Sequence, residues 1–294
     1  MENAAIGLPL HLSYRPPFAV DALLSFLSAR AVPGVEVVRG GTYRRAVRAA
    51  GGGTAVIAVT PDPTKGHVTV DVSADHGIDS AGLARDTRRA FDLDADSQTI
   101  DAALARDAML VPFVRGKPGM RVPGTFDTFE LVVRAIFGQQ VSVEGARTSL
   151  SRFAARFGDP LDPPHGDISH LFPTAERVAE ISPEDLEMPR GRAEAIRRVG
   201  ELVASRELDP SGGASLDETL STLGEVRGIG PWTLAYVAMR ALRDSDAFLV
   251  GDLGVRKGFE MLGLPTTSRE VLERAERWSP WRAYAVMHLW HAHG

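Results

Sequence analysis

Asp252 follows Gly251 and opens an apolar-periodic stretch that begins at Leu253. Gly-Asp at such a point has the signature of a helix N-cap, whose carboxylate accepts from N–H groups of the first turn. The same position has a chemical use. The positive end of the helix favours the charged form of a carboxylate, and a fixed anion at the floor of a pocket stabilises a cation developing beside it. The two roles are compatible, and residue type alone leaves both open. Trp232 and Tyr236 are four apart, hence on one face of a helix. Aromatic faces attract cations, so such a pair suits a positively charged ring. Each ring taken alone is equally ordinary core material.

Those residues need elements to position them. Just ahead of Trp232 the chain reads Arg227-Gly228-Ile229-Gly230-Pro231. Gly228 and Gly230 permit backbone conformations that a Cβ resists. Pro231 suits the first position of a helix, where its missing N–H costs nothing. A periodic segment, Leu216 to Leu223, leads in, and an apolar helix leads out. The result is helix, tight hairpin, helix. Free N–H groups at the second helix's start can converge on one phosphate; an ordinary αα-hairpin with a glycine turn has the same spacing.

The hairpin G-I-G-P-W, followed by an Asp that opens a later helix, resembles the helix-hairpin-helix DNA glycosylase superfamily. It looks most like the AlkA-type 3-methyladenine DNA glycosylase II branch. Three further stretches are similar in the expected order: residues 118–142, 172–196 and 278–290. The resemblance covers essentially the whole chain and is weaker before residue 90. It implies an α+β chain in which an N-terminal antiparallel sheet domain precedes two all-α lobes with the helix-hairpin-helix motif. It makes Asp252 catalytic, and Trp232, Tyr236, Trp290 and Phe26 the walls of a base pocket. Gly228, Ile229, Gly230 and Thr233 would contact DNA. Gln140 would be the wedge that fills the gap left by an extruded nucleotide, where the best-known form has Leu. Backbone carbonyls of Gly224, Val226 and Ile229 would hold a monovalent cation, Na+ or K+; no other cofactor is required. The reaction implied is release of an alkylated purine, such as 3-methyladenine, flipped from damaged duplex DNA. Its transition state carries positive charge on the sugar, which is the charge Asp252 would face. Lyase-competent relatives carry a Schiff-base Lys just after the hairpin glycine; Trp232 stands there, so the enzyme is expected to be monofunctional. The alternative is a non-catalytic DNA-binding protein that uses the same hairpin.

Composition sets the bounds. At 294 residues, with 44% apolar and 24% charged, the chain is globular material for two or three domains. No apolar run approaches the ~18 residues of a membrane span. The opening MENAAIGLPLHLSYRPP lacks the pattern of a secretion signal, so a cytoplasmic monomer with no protein partner and no membrane is expected. Cysteine is absent, which removes disulfides, thiolate nucleophiles and Cys-ligated zinc or iron–sulfur sites. A net charge of −5 means that DNA contact must come from local geometry and not from a general basic field. Only Lys65, Lys117 and Lys257 are lysines, and none is placed to act as a nucleophile.

Residues 8–14, 43–47, 54–59 and 67–72 read as strands, and 20–30 and 79–91 as helices. Gly51-Gly52-Gly53 reads as a hairpin turn, since no phosphate-loop Lys follows. Asp92, Asp94 and Asp96 depart from a calcium loop at its sixth and twelfth positions and read as a solvated turn with a helix cap. Residues 112–124 read as a Pro/Gly linker, and 209–214 as a flexible loop. Gly138 stops a helix over 126–137, and Ser142 can cap the next. His288, His291 and His293 offer a helical pair with no third metal ligand, and read as a solvated or partly packed helix end. The expected units are a sheet domain (1–93), a helical domain (121–244) with its hairpin at 227–231, and a second lobe (94–120 plus 245–294) carrying Asp252.

Overall fold

The computed structural model describes residues 5–6, 9–48, 53–74, 78–209 and 215–293. Leu8, the Gly51-Gly52 turn and residues 210–214 of the expected loop lie outside them. The first unit is an antiparallel sheet made from β1 (Ala5–Ile6), β2 (Leu10–Ser13), β3 (Glu36–Arg39), β4 (Thr42–Arg48), β5 (Thr54–Asp62) and β6 (His67–Ala74). The order is β3-β4-β5-β6, with β1 and β2 following one another along the free edge of β6. Alternation decides its buried face: Val68, Val70, Val72 and Ala74 of β6 all point into one core. That core takes Leu23 and Leu24 from α1 (Val20–Arg30) and Leu83 from α2 (Ser80–Ala90). β3 was not expected; it is four residues long and takes its register from β4, not from its own pattern.

The crossing out of this unit, expected as a Pro/Gly linker over 112–124, contains a helix. After α3 (Ser97–Leu104), capped by Asp96, comes a helix α4 (Val111–Gly116). Pro112 sits in its first turn, where a missing N–H is tolerated. A turn over residues 117–119 leads into a buried irregular stretch, residues 120–124. They are pinned by Arg121, 1% exposed, which donates to the carbonyls of Asp92 (2.8 Å), Ala95 (2.9 Å) and Arg15 (2.6 Å). Nor is Asp92 part of a solvated turn. It is buried, accepts from the Tyr284 hydroxyl at 2.9 Å and faces Arg243 at 3.5 Å. Burial pushes its carboxyl above the ordinary range.

The remainder is helical apart from one hairpin, β7 (Pro160–His165) and β8 (Ile168–His170). Its helices are α5 (Thr128–Phe137), α6 (Val143–Phe157), α7 (Ala175–Ala179), α8 (Arg190–Ala204), α9 (Leu216–Gly224), α10 (Pro231–Arg240), α11 (Leu253–Met261), α12 (Ser268–Ala275) and α13 (Arg282–His293). Ser142 caps α6 through Gly145 N–H, and Ser215 with Glu218 forms a capping box on α9. Two cores fill this part. One gathers α5, α6, α8 and Val237 of α10. The other gathers α3, α4, α11, α13 and Ala238 and Met239 of α10, together with Phe26 of α1. α10 is therefore the shared wall, which places its N-terminal turn between the two cores. The sheet is joined to α5 by buried charge: Arg45 of β4 pairs with Glu130 at 2.7 Å, and Arg134 with Glu36 at 2.6 Å. Among the described residues no helix is long and apolar enough to cross a membrane.

Candidate active site

Asp252 is the N-cap of α11, as expected. Gly251 takes φ +80° to turn the chain into it. Its Oδ1 accepts from the Val255 N–H at 2.9 Å and from Trp290 Nε1 at 2.7 Å, and its Oδ2 accepts from Trp232 Nε1 at 3.0 Å. One carboxylate is thus held by the starts of α11 and α10 and by the C-terminal half of α13. The close approach of α11 to α13 depends on Gly258: a Cβ there would stand 2.8 Å from Leu289 Cδ2.

The four expected rings come together around this carboxylate. Trp232 stacks on Tyr236, centroids 5.3 Å apart and 15° from parallel. Tyr236 lies 6.4 Å from Trp290. Phe26 of α1 stacks on Trp290 at 6.0 Å and 14°. The sheet unit therefore supplies one wall of the site.

Two arginines join the site that sequence reasoning did not single out. Arg240 is buried and donates to the carbonyls of Pro123 (2.7 Å) and Gly124 (2.9 Å) and to the Tyr236 hydroxyl (2.7 Å). Arg30 places its guanidinium carbon 3.9 Å from the Phe26 centroid and 5.7 Å from that of Trp290. Burial would raise the Tyr236 phenol, but the charges of Arg240 and Arg30 hold it below its ordinary value. The available signal was spacing: Arg30 is four residues beyond Phe26, and Arg240 four beyond Tyr236, the same-face interval. Two open clefts, of about 560 and 850 Å³, lie beside α8 and between the sheet and α5; Asp252 lines neither.

The hairpin between α9 and α10 differs from expectation in detail. Gly228 takes φ +98°, a glycine conformation. Gly230 does not: at φ −100° and ψ 178° it is extended, and space around it is open. The Ile229 N–H is already used, donating to the Val226 carbonyl at 3.0 Å, and its side chain is buried. Thr233 is 2% exposed, and its hydroxyl accepts from Gln139 Nε2 at 3.0 Å. What remains for an anion is backbone. Among the described residues, the N–H groups of Gly228, Gly230 and Thr233 have no backbone acceptor. Gln139 also donates to the Gly228 carbonyl at 2.9 Å, while Arg192 donates to the Gln139 carbonyl at 2.7 Å. The turn that carries Gln140 is thereby fastened to the hairpin. Gln140 itself is exposed, at φ +57°, beside the exposed Val141.

The carbonyls proposed for a cation can be tested on the same bonds. α9 ends at Gly224, so its carbonyl lies at the negative end of a helix. Among the described residues neither the Gly224 nor the Ile229 carbonyl accepts from a backbone N–H. Two unpaired oxygens on a tight turn fit a hard monovalent ion, whereas the third, the Val226 carbonyl, already accepts from the Ile229 N–H. No group of three metal-ligating side chains occurs among the described residues, which do not include the side chain of His293. His288 is buried and not solvated; its Nε2 has no partner, and burial pushes its imidazole down to about 4.

A sheet domain, a glycine hairpin between helices and a capped carboxylate bonded by two indoles together define a helix-hairpin-helix protein. Two family models agree: the AlkA N-terminal domain matches residues 9–127, and the HhH-GPD superfamily base excision DNA repair protein matches residues 133–283. The chain belongs to the HhH-GPD superfamily of base excision DNA repair proteins. It is 34% identical to the DNA-3-methyladenine glycosylase 2 of Escherichia coli, across 96% of this chain and 97% of that one. It is 40% identical to the probable bifunctional transcriptional activator/DNA repair enzyme AlkA of Mycobacterium tuberculosis, across 96% of this chain. Of that relative's length it spans about half, 56%. In three dimensions it is similar to the 3-methyladenine DNA-glycosylase from Archaeoglobus fulgidus, with a TM-score of 0.80 over 97% of this chain and 98% of that one. At 22% identity that likeness is one of fold.

Proposed function

We propose that this protein is a monofunctional DNA glycosylase, which turns an alkylated purine such as 3-methyladenine out of damaged duplex DNA and hydrolyses its N-glycosidic bond. The observation that carries the reading is the Asp252 carboxylate, held by three N–H donors, two of them indoles that belong to one contacting series of four aromatic rings. The extruded base stacks on Trp232, Tyr236, Trp290 and Phe26, where its positive charge is favoured by the ring faces. As the C1′–N bond breaks, its electron pair leaves with the base and neutralises it, so no acid is needed. Positive charge passes to the sugar, and the fixed anion of Asp252 stabilises it. Water adds to C1′ and releases its proton. Trp232 stands where a Schiff base would need a lysine. Lys65 and Lys117 are paired with Asp62 and Asp21, and Lys257 is exposed on α11, so hydrolysis leaves an intact abasic strand.

The free N–H groups of Gly228, Gly230 and Thr233 grip a phosphate of the duplex. The carbonyls of Gly224, Val226 and Ile229 would hold a sodium or potassium ion, which would supply positive charge at the hairpin. Gln140 occupies the place of the extruded nucleotide. The protein acts as a monomer in the cytoplasm. The deciding experiment is release of free base from methylated duplex by the purified chain, with borohydride trapping beside it. Free 3-methyladenine with no trapped adduct is the expected result; no released base would leave a non-catalytic DNA-binding protein, and a trapped adduct would make it a lyase.

A further inference from the structure

Arg30 occupies ground that the reaction needs. A cation that binds this site must lie over aromatic faces, and one already does. The Arg30 guanidinium carbon is 3.9 Å from the centroid of Phe26 and 5.7 Å from that of Trp290, both rings of the base pocket. Arg240 adds a second positive charge 4.9 Å from Phe26 and 5.5 Å from Tyr236. The two arginines differ in how they are held. Arg240 is locked by three hydrogen bonds, two of them to main-chain carbonyls. Among the described residues Arg30 has no such main-chain lock. It is half-buried, with the Tyr236 hydroxyl as its polar partner, and is steadied also by ring faces and by the charge of Asp252. Its long stem sits on α1, one helical turn beyond Phe26, so rotation about side-chain bonds is enough to move the charge away.

Building on the glycosylase reading, we infer that Arg30 is a specificity-determining residue. Its guanidinium is a resident competitor for the aromatic faces, which a cationic base must displace and which a neutral base with a ring carbonyl can instead use as a donor. The two substrate classes meet Arg30 with opposite signs. A methylated purine still joined to its sugar carries positive charge and is repelled by it. A hypoxanthine base is neutral, and its carbonyl oxygen accepts from a guanidinium. Arg30 therefore narrows the natural lead of cationic lesions, whose glycosidic bonds are already labile, and opens the site to a wider range.

The test compares wild type with Arg30→Gln, which removes the charge, and Arg30→Lys, which keeps it. One readout needs no catalysis: quenching of tryptophan fluorescence on titration with 1-methylnicotinamide, a small aromatic cation. Arg30→Gln should bind it about tenfold more tightly, the scale of one desolvated cation–π contact, and Arg30→Lys should stay close to wild type. The second readout is single-turnover excision from duplexes carrying 7-methylguanine or hypoxanthine. The ratio of the two rates should rise in favour of the cationic lesion, by about the same factor, in Arg30→Gln. An unchanged ratio with unchanged cation affinity overturns the inference, as does an equal fall on both duplexes accompanied by a lower melting temperature. If wild type releases neither base, the glycosylase reading fails, and the titration alone still decides whether Arg30 competes for the rings.

Discussion

Both oxygens of the Asp252 carboxylate are acceptors in use, and that shapes what a substitution there does. Asp252→Asn keeps size and cap, but its amide must turn one N–H toward an indole or main-chain N–H that now has no acceptor. The variant should lose about 1 kcal/mol of stability, read in thermal unfolding. Excision in a single turnover should fall at least ~10²-fold, the scale of one preorganised partner of a charged transition state. Near wild-type release by this variant would take Asp252 out of the mechanism. Trp290→Phe separates ring from donor: it keeps a face toward Phe26 and deletes the 2.7 Å bond to Oδ1. Excision should drop about tenfold, the worth of one charge-assisted bond, while affinity for 1-methylnicotinamide changes little. An equal loss of affinity would mean the ring matters more than its N–H. Asp252 and the rings could be found in sequence through the family resemblance, since Gly-Asp before a helix is an ordinary cap and each ring alone ordinary core. Arg30 and Arg240 had only the i,i+4 spacing to mark them, and with 30 of the 33 basic residues Arg that spacing does not stand out.

At the scale of elements, the hairpin separates fold from grip. Gly230 is extended with open space about it, so Gly230→Val should fold with an unchanged melting temperature. Its new side chain stands where a phosphate must approach, so binding to every duplex should weaken alike, with lesion preference unchanged. A shift of preference in gel or anisotropy titrations would place this turn nearer the base than the backbone. Gly258→Ala is the converse. A methyl 2.9 Å from Leu289 Cβ and 3.3 Å from its Cα forces α11 off α13, at a cost of roughly 1–3 kcal/mol. Those two helices carry Asp252 and Trp290, so excision should fall further than urea unfolding accounts for; activity that follows the folded fraction alone would argue against this. Long periodic helices were readable because pattern and caps agree, as in α9 and α11. α4 was hidden by Pro112 and Gly116, breakers in general that are harmless at a helix's two ends. β3 was hidden because four residues carry too little alternation to register.

For the molecule as a whole, buried ionisable groups set the response to acid, and they pull in different directions. The folded His288 has its pKa pushed down to about 4 from an ordinary 6.5. Between those values the unfolded chain binds a proton that the folded chain refuses, so this group's contribution is lost as pH falls through that window. Asp92 acts oppositely, since burial raises its carboxyl and protonation relieves it. His288→Leu should flatten the fall in stability between pH 6.5 and about 4, seen in urea unfolding at several pH values; an identical slope would mean that His288 is reached by solvent when folded. These long-range features were not readable from sequence. Glu36, Arg45, Glu130 and Arg134 look like solvated charges until the sheet is laid on α5. The same docking has a historical consequence. The two family models meet between residues 127 and 133, yet Phe26 and Arg30 on one side of that seam face Trp290 and Tyr236 on the other. Recombination at the seam would hand a descendant two side chains of its base pocket along with a new sheet, so a crossover that preserved folding would still rewrite the diet of the enzyme. Lineages that shuffled this module would diverge first in the damage they repair.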